Sequence, residues 1–197
     1  MNSEITAYVE CFFKESKQRE NHRYNSWCLC YNAFQESFKD SKYDENLLTL
    51  NLAFYLASWG MYRGSSNLLQ FDYKIHLKTI EILYEFRNCK IDETDKIMEL
   101  CKKLKAYYNS KSISPTDTLI SKIMLGTLGV TVAYDRYVKT ALKSKNITPS
   151  LSSEGLNQIL TFYKSNKNEI DNLSQKYQYP VLKIMDMYLF ELGMKQS

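Results

Sequence analysis

The chain has 197 residues, a formal net charge of +4, 44% hydrophobic and 24% charged residues. That balance excludes a mainly disordered chain and a fibre. No stretch nears the run of apolar residues a membrane span needs, so no membrane partner is expected. Its 6 glycines and 3 prolines are too few for the close-spaced turns of an all-β sandwich or barrel and suit helices joined by short loops.

Apolar residues recur at three-and-four spacing along most of the chain, the mark of helices that bury one face. Ser3 can cap a first helix with Ile5, Tyr8, Val9, Phe12 and Phe13 on its apolar face, ended by the charged run from Lys14 to Arg23. Trp27, Cys30, Tyr31, Phe34 and Phe38 make a second. Leu47 to Trp59 has almost no polar face and is the predicted central helix. After the break at Gly60–Ser66, Leu68, Leu69, Ile75, His76, Ile80 and Leu83 resume the pattern. Asp92 precedes Ile97, Leu100, Cys101, Leu104 and Tyr107, with acids near the start and lysines near the end, as the helix dipole favours.

Ser114-Pro115-Thr116-Asp117 is a start signal, with Ser114 as cap and Asp117 answering it, for a short helix over Leu119–Met124 that stops at Gly126. Ala133, Tyr134, Tyr137, Val138, Ala141 and Leu142 follow. Ser152 or Ser153 caps a helix with Leu156, Ile159, Leu160 and Tyr163, and the polar stretch Lys164 to Lys176 is a surface helix or a long connection. Pro180 opens a last helix that stops near Gly193. The expected architecture is all-α, one domain over residues 1–197 with roughly seven to nine helices around Leu47–Trp59.

The 16 tyrosines and 9 phenylalanines belong either at the rim of a helical core or on a contact surface, because a tyrosine ring packs while its hydroxyl seeks a polar partner. The five cysteines, Cys11, Cys28, Cys30, Cys89 and Cys101, form no Cys-x-x-Cys and have no histidine at ligand spacing. No disulfide framework, metal site or cofactor is expected, and the absence of a basic-then-apolar start points to a reducing cytoplasm. His76 falls near the apolar side of its helix and reads as a core histidine, whereas His22 lies in a charged stretch.

Two places could carry chemistry. In the loop after Trp59, Arg63, Gly64, Ser65 and Ser66 combine a guanidinium fork, backbone N–H groups and hydroxyls, a set suited to phosphate or carboxylate, or else to an interhelical turn. The other place is Lys122 to Arg136, where a glycine-containing turn between two helices can hold a DNA phosphate. Gly129 and Ala133, four apart, give this stretch a resemblance to the helix-hairpin-helix of base-excision DNA glycosylases. It departs from that family in that Gly126 and Gly129 are separated by two residues instead of one, the proline before the turn is missing, and Thr131 occupies the place of the lyase lysine.

The resemblance implies a helical DNA-binding protein with Lys122, Gly126, Gly129, Arg136, Lys139 and Lys143 at the nucleic acid. Asp135, earlier in the chain than the family's catalytic aspartate, is the candidate catalytic carboxylate, or else a first-turn residue favoured by the helix dipole. The runs Leu56–Met61 and Ala133–Tyr137 together also resemble stretches of bacterial helical proteins, from which no activity follows. Lysines interleaved with tyrosines in Lys102–Lys111, and the run Lys139–Lys145, add phosphate and stacking candidates. The expected function is nucleic-acid binding. The alternative is a non-catalytic module whose tyrosine-rich surface binds another protein or its own copy.

Overall fold

A computed structural model describes residues 3–18, 20–39, 42–63 and 67–197. Among them are ten α-helices and no strand: α1 Glu4–Lys17, α2 Asn25–Ser37, α3 Glu45–Ser58, α4 Leu77–Glu85, α5 Thr94–Ser110, α6 Asp117–Thr127, α7 Arg136–Ser144, α8 Ser153–Ser165, α9 Lys167–Tyr177 and α10 Val181–Lys195. Two 3-10 turns, Asn67–Gln70 and Tyr73–His76, lead into α4. The all-α class follows from the periodic burial described above, and the buried side chains from Ile5 to Leu192 form one continuous core.

Local signals set most helix ends. Ser3 accepts from the Thr6 N–H at 3.3 Å, Asp44 from Leu47 at 2.9 Å and Ser152 from Gly155 at 3.2 Å, each satisfying a donor that a helix start leaves free. The start of α6 differs from expectation, because Thr116 rather than Ser114 is the cap, accepting from Leu119 at 3.2 Å. Asp117 does not answer it. Its carboxylate takes Lys105 Nζ at 2.8 Å and the Leu151 N–H at 3.2 Å. The stretch Lys164–Lys176 resolves into the end of α8 and α9, whose Ile170 and Leu173 are buried.

The predicted helix from Ala133 begins only at Arg136. The Ala133 N–H donates to Asp186 Oδ1 at 2.9 Å and the Tyr134 N–H to Ser121 Oγ at 2.8 Å, so side chains of α10 and α6 hold this backbone outside the helix. At the far end, α10 runs through Gly193, whose missing side chain lets α7 come close: a Cβ there would stand 1.9 Å from the Tyr137 carbonyl oxygen.

The helix buried on every side is α10, from Leu182 to Gly193, lying against α1, α7 and α9, and α6 is similarly enclosed from Leu119 to Thr127. The helix expected at the centre, α3, instead leaves Leu47, Leu50 and Phe54 exposed on one side while Leu48, Leu52, Tyr55 and Leu56 pack inward. The tyrosines sit in or at the edge of the core: all 16 are buried or half-buried. Tyr24 stacks on Phe12 at 4.3 Å and on Trp59 at 5.3 Å between centroids, and Phe190 meets all three rings edge-on. Each such pair contributes about 0.5–1.5 kcal/mol beyond the area it buries.

His76 is a core histidine. Its Nε2 bonds the Tyr62 hydroxyl at 2.7 Å and its Nδ1 the Tyr108 hydroxyl at 2.6 Å, which ties the turn after α3 to α5. Burial holds the ring neutral with its pKa lowered from 6.5 to about 3. Below about pH 6.5 the unfolded chain therefore takes up a proton that the folded chain refuses. His76 costs no stability above that pH and up to about 1.4 kcal/mol per pH unit below it, until the folded ring itself titrates. Urea denaturation at pH 7 and pH 5 checks this: His76→Gln is expected to be less stable than wild type at pH 7 but to lose less on acidification. Separately, Gly193→Ala is expected to lower the urea midpoint by about 1–3 kcal/mol of stability, since backbone cannot yield as a side chain does.

Candidate functional site

Four charged side chains meet beneath Trp59. On α10, Lys183 and Asp186 lie three residues apart and pair at 2.9 Å with side chains only 3% and 9% exposed. On α6, Lys122 Nζ stands 3.4 Å from Asp135 Oδ2, with side-chain exposures of 4% and 16%. Both aspartates also hold backbone. Asp135 caps α7 by accepting from Val138 at 3.1 Å, and Asp186 accepts from Ala133.

Aromatic faces complete the enclosure. Lys122 Nζ sits 4.7 Å from the Trp59 centroid, and Lys183 Nζ sits 5.0 Å from Trp27 and 5.1 Å from Phe12, distances at which a ring quadrupole attracts an ammonium. Tyr55, Trp59, Phe190 and the four charged residues leave a space of about 10 Å³ between them, near the size of one water. Two positive and two negative charges cancel. Removed from water they are nonetheless costly, and attraction offsets the cost only where geometry is good.

Lys122 has the weaker geometry, a single long contact to its carboxylate. Burial holds its ammonium below the usual lysine range and the neighbouring Lys183 adds to that, while Asp135 and Asp186 pull the other way. Such an amine releases its proton more readily than a surface lysine.

A groove of about 490 Å³ lies outside this cluster, lined by Gly60, Met61 and Arg63 on one side and Ser114, Thr116, Thr118 and Leu119 on the other. Gly60 directly follows Trp59, and Thr118 stands one helical turn before Lys122, so the groove walls and the charged cluster share their supporting backbone. Gly60 takes φ +77°, a conformation that turns the chain out of α3. The start of α6, at Thr116, Thr118 and Leu119, forms part of the wall. Asp117 at that start is held low by its hydrogen bonds to Lys105 and Leu151 against the opposing effect of burial, and Lys139 of α7 adds to the lowering. Lys139 of α7 is thus near enough to the start of α6 to act on the charge of Asp117.

The sequence candidates separate into three groups. Arg63 is exposed at the groove, while Gly64, Ser65 and Ser66 lie outside the described residues. Arg136 and Lys143 are exposed on α7 and Lys139 is half-buried beside them. Lys122, Gly126 and Gly129 are buried and do not share the exposed side of α7. A Cβ on Gly126 would stand 2.3 Å from the Tyr55 ring, and Gly129, at φ +67°, is covered by Pro180 and Tyr31. The α6 carbonyls near this turn are taken by Trp27 Nε1 at Leu125 and Gln35 Nε2 at Thr127. The apolar run Val130–Ala133 buries the turn and leaves no opening for a phosphate there.

The second basic stretch is also changed. Lys103 pairs with Glu85 at 2.7 Å and Lys105 with Asp117, while Tyr107 turns its hydroxyl to the Ile75 carbonyl and Tyr108 is fully buried. Neither ring is free to stack on a base. Asp135 is placed with a charged partner and a cap role together. Trp59, Lys183 and Asp186 were not singled out from sequence, although a charged i,i+3 pair inside the apolar run Val181–Leu192 is a signal that could have found them.

No family model, curated protein or solved structure matches the chain. Asp186→Ala is expected to cost roughly 3–5 kcal/mol, because it strands the Lys183 charge and frees the Ala133 N–H, whereas Lys183→Met combined with Asp186→Leu costs less than the single change. Urea denaturation of the three proteins measures the difference.

Proposed function

We propose that the protein binds nucleic acid, with a nucleotide in the groove between the Gly60–Arg63 turn and the start of α6 and the flanking backbone phosphates on the basic side of α7. The supporting observations are Arg63 on one wall of the groove, hydroxyls and a helix start on the other, and Lys139 of α7 near enough to that start to act on Asp117, with Arg136 and Lys143 on the same helix. Arg63, Lys139 and Lys143 form no ion pair among the described residues, so their charge is not already neutralised. A guanidinium fork and a helix N-terminus both favour a phosphate group. The helix-hairpin-helix turn itself has no part in this reading, because it is buried.

A titration of labelled DNA at low salt tests it. Binding is expected to weaken steeply as salt rises, with a log-log slope of about 0.7–0.9 per phosphate neutralised. The Lys139→Glu, Lys143→Glu double variant is expected to bind more weakly with a shallower slope. Arg63→Ala is expected to lose affinity with its melting temperature within a few degrees of wild type, since an exposed charge contributes at most about 1 kcal/mol to folding. Equal affinity of wild type and double variant, or no binding by either, removes the proposal.

The second reading, a protein-interaction module, has a separate observation behind it. Leu47, Leu50 and Phe54 of α3 and Leu29 of α2 are exposed, and Leu29 and Phe54 line a shallow groove of about 470 Å³ with Tyr179 and the start of α2. This surface is built of leucine and phenylalanine rather than tyrosine. Binding through it would persist at high salt, which separates the two readings.

A further inference from the structure

Cys11 and Glu15 stand four residues apart on α1 and so share one side of that helix, and α10 packs there with Glu191. The Cys11 sulfur and one carboxylate oxygen from each glutamate all lie within 4.8 Å of one another. Glu191 is 1% exposed and its Oε1 has no hydrogen-bond partner among the described residues. Two carboxylates and a thiol thus share a place where Lys195, the cation that acts on Glu191 among the described residues, holds its ammonium over the Tyr8 ring at 4.2 Å. An acid buried this deeply needs a partner for its charge, and either a proton or a cation can supply it.

We propose that Cys11, Glu15 and Glu191 bind a zinc-type divalent cation through one thiolate and two carboxylates, with a fourth position open to water. The donor set selects the ion. Magnesium and calcium take oxygen ligands and avoid thiolate, whereas zinc and cobalt accept sulfur and oxygen together. Bonds of about 2.0–2.3 Å around a tetrahedral ion place donor atoms roughly 3.3–3.8 Å apart, within the span of this cluster. Burial and the charge of Glu15 push the Glu191 carboxyl up to about 7, and burial and both glutamates raise the Cys11 thiol. Metal entry displaces the protons held on these two groups to solvent, leaving thiolate and carboxylate on the ion. The bound ion would join α1 to α10, and the site is independent of the nucleic-acid reading because it uses none of the same residues.

The experiment is a titration of the metal-free full chain with Co²⁺ followed by absorbance. Saturation at one equivalent is expected, with a thiolate-to-cobalt band in the near ultraviolet, visible bands of a four-coordinate ion, displacement by Zn²⁺, and a melting temperature that rises with metal concentration. Cys11→Ser is expected to abolish the thiolate band, and a Cys28→Ser, Cys89→Ser double variant to keep it. Glu191→Gln keeps the shape of this buried side chain without its acidic charge, so it is expected to fold at least as stably as metal-free wild type while binding at least about 100-fold more weakly, beyond the effect of losing an outer hydrogen-bond partner. A missing band, a band that survives Cys11→Ser, or wild-type affinity in Glu191→Gln would overturn the proposal.

Discussion

The removal of two lysines and two aspartates from water beneath Trp59 sets how the centre of this protein is assembled. Asp186 holds Lys183 and the Ala133 backbone at once, and Asp135 holds Lys122 and the first turn of α7. Each carboxylate therefore joins a charge to a piece of backbone that would otherwise lack a partner. Because the residues come from α6, from the connection that follows it and from α10, their pairing decides the register of all three. An apolar cluster of equal volume could have been as stable, but it would not have specified which backbone N–H meets which carboxylate.

Aromatic side chains carry the packing outward from that centre. Tyr24, Trp59, Phe12 and Phe190 form a stacked and edge-on group that links α1, α10 and the end of α3, and the two buried ammoniums face its rings. Several tyrosine hydroxyls are directed at partners within the protein: Tyr62 and Tyr108 at His76, Tyr107 at the Ile75 carbonyl, Tyr163 at Asp171. Of the two readings the composition allowed, the rim of the core and a contact surface, the tyrosines take the first. The exposed apolar side chains are instead those of α2, α3 and the Asn67–Phe71 segment.

This arrangement also explains why the groove and the charged cluster belong together. Tyr62 is anchored to His76, so the turn that carries Arg63 is tied to α5 through a buried hydrogen-bond network. Trp59, at the start of the same turn, covers Lys122.

The sequence by itself determined the all-α class, the approximate place of most helices, the capping role of Ser3, a cap at Ser152 or Ser153, and His76 as a core residue. All of these rest on contacts between residues three or four apart, which local chemistry reports directly. It also singled out Asp135 and the lysines of α7. It did not separate Lys122, buried on an enclosed helix, from Lys143, exposed on an amphipathic one, and it placed the first turn of α7 too early. Only the tertiary structure decided those points, along with the meeting of Lys122 and Asp135 with Lys183 and Asp186, and of Cys11 and Glu15 with Glu191. Whether a charged side chain is tolerated in the interior depends on what distant segments bring to it, and that energy has no period along the chain.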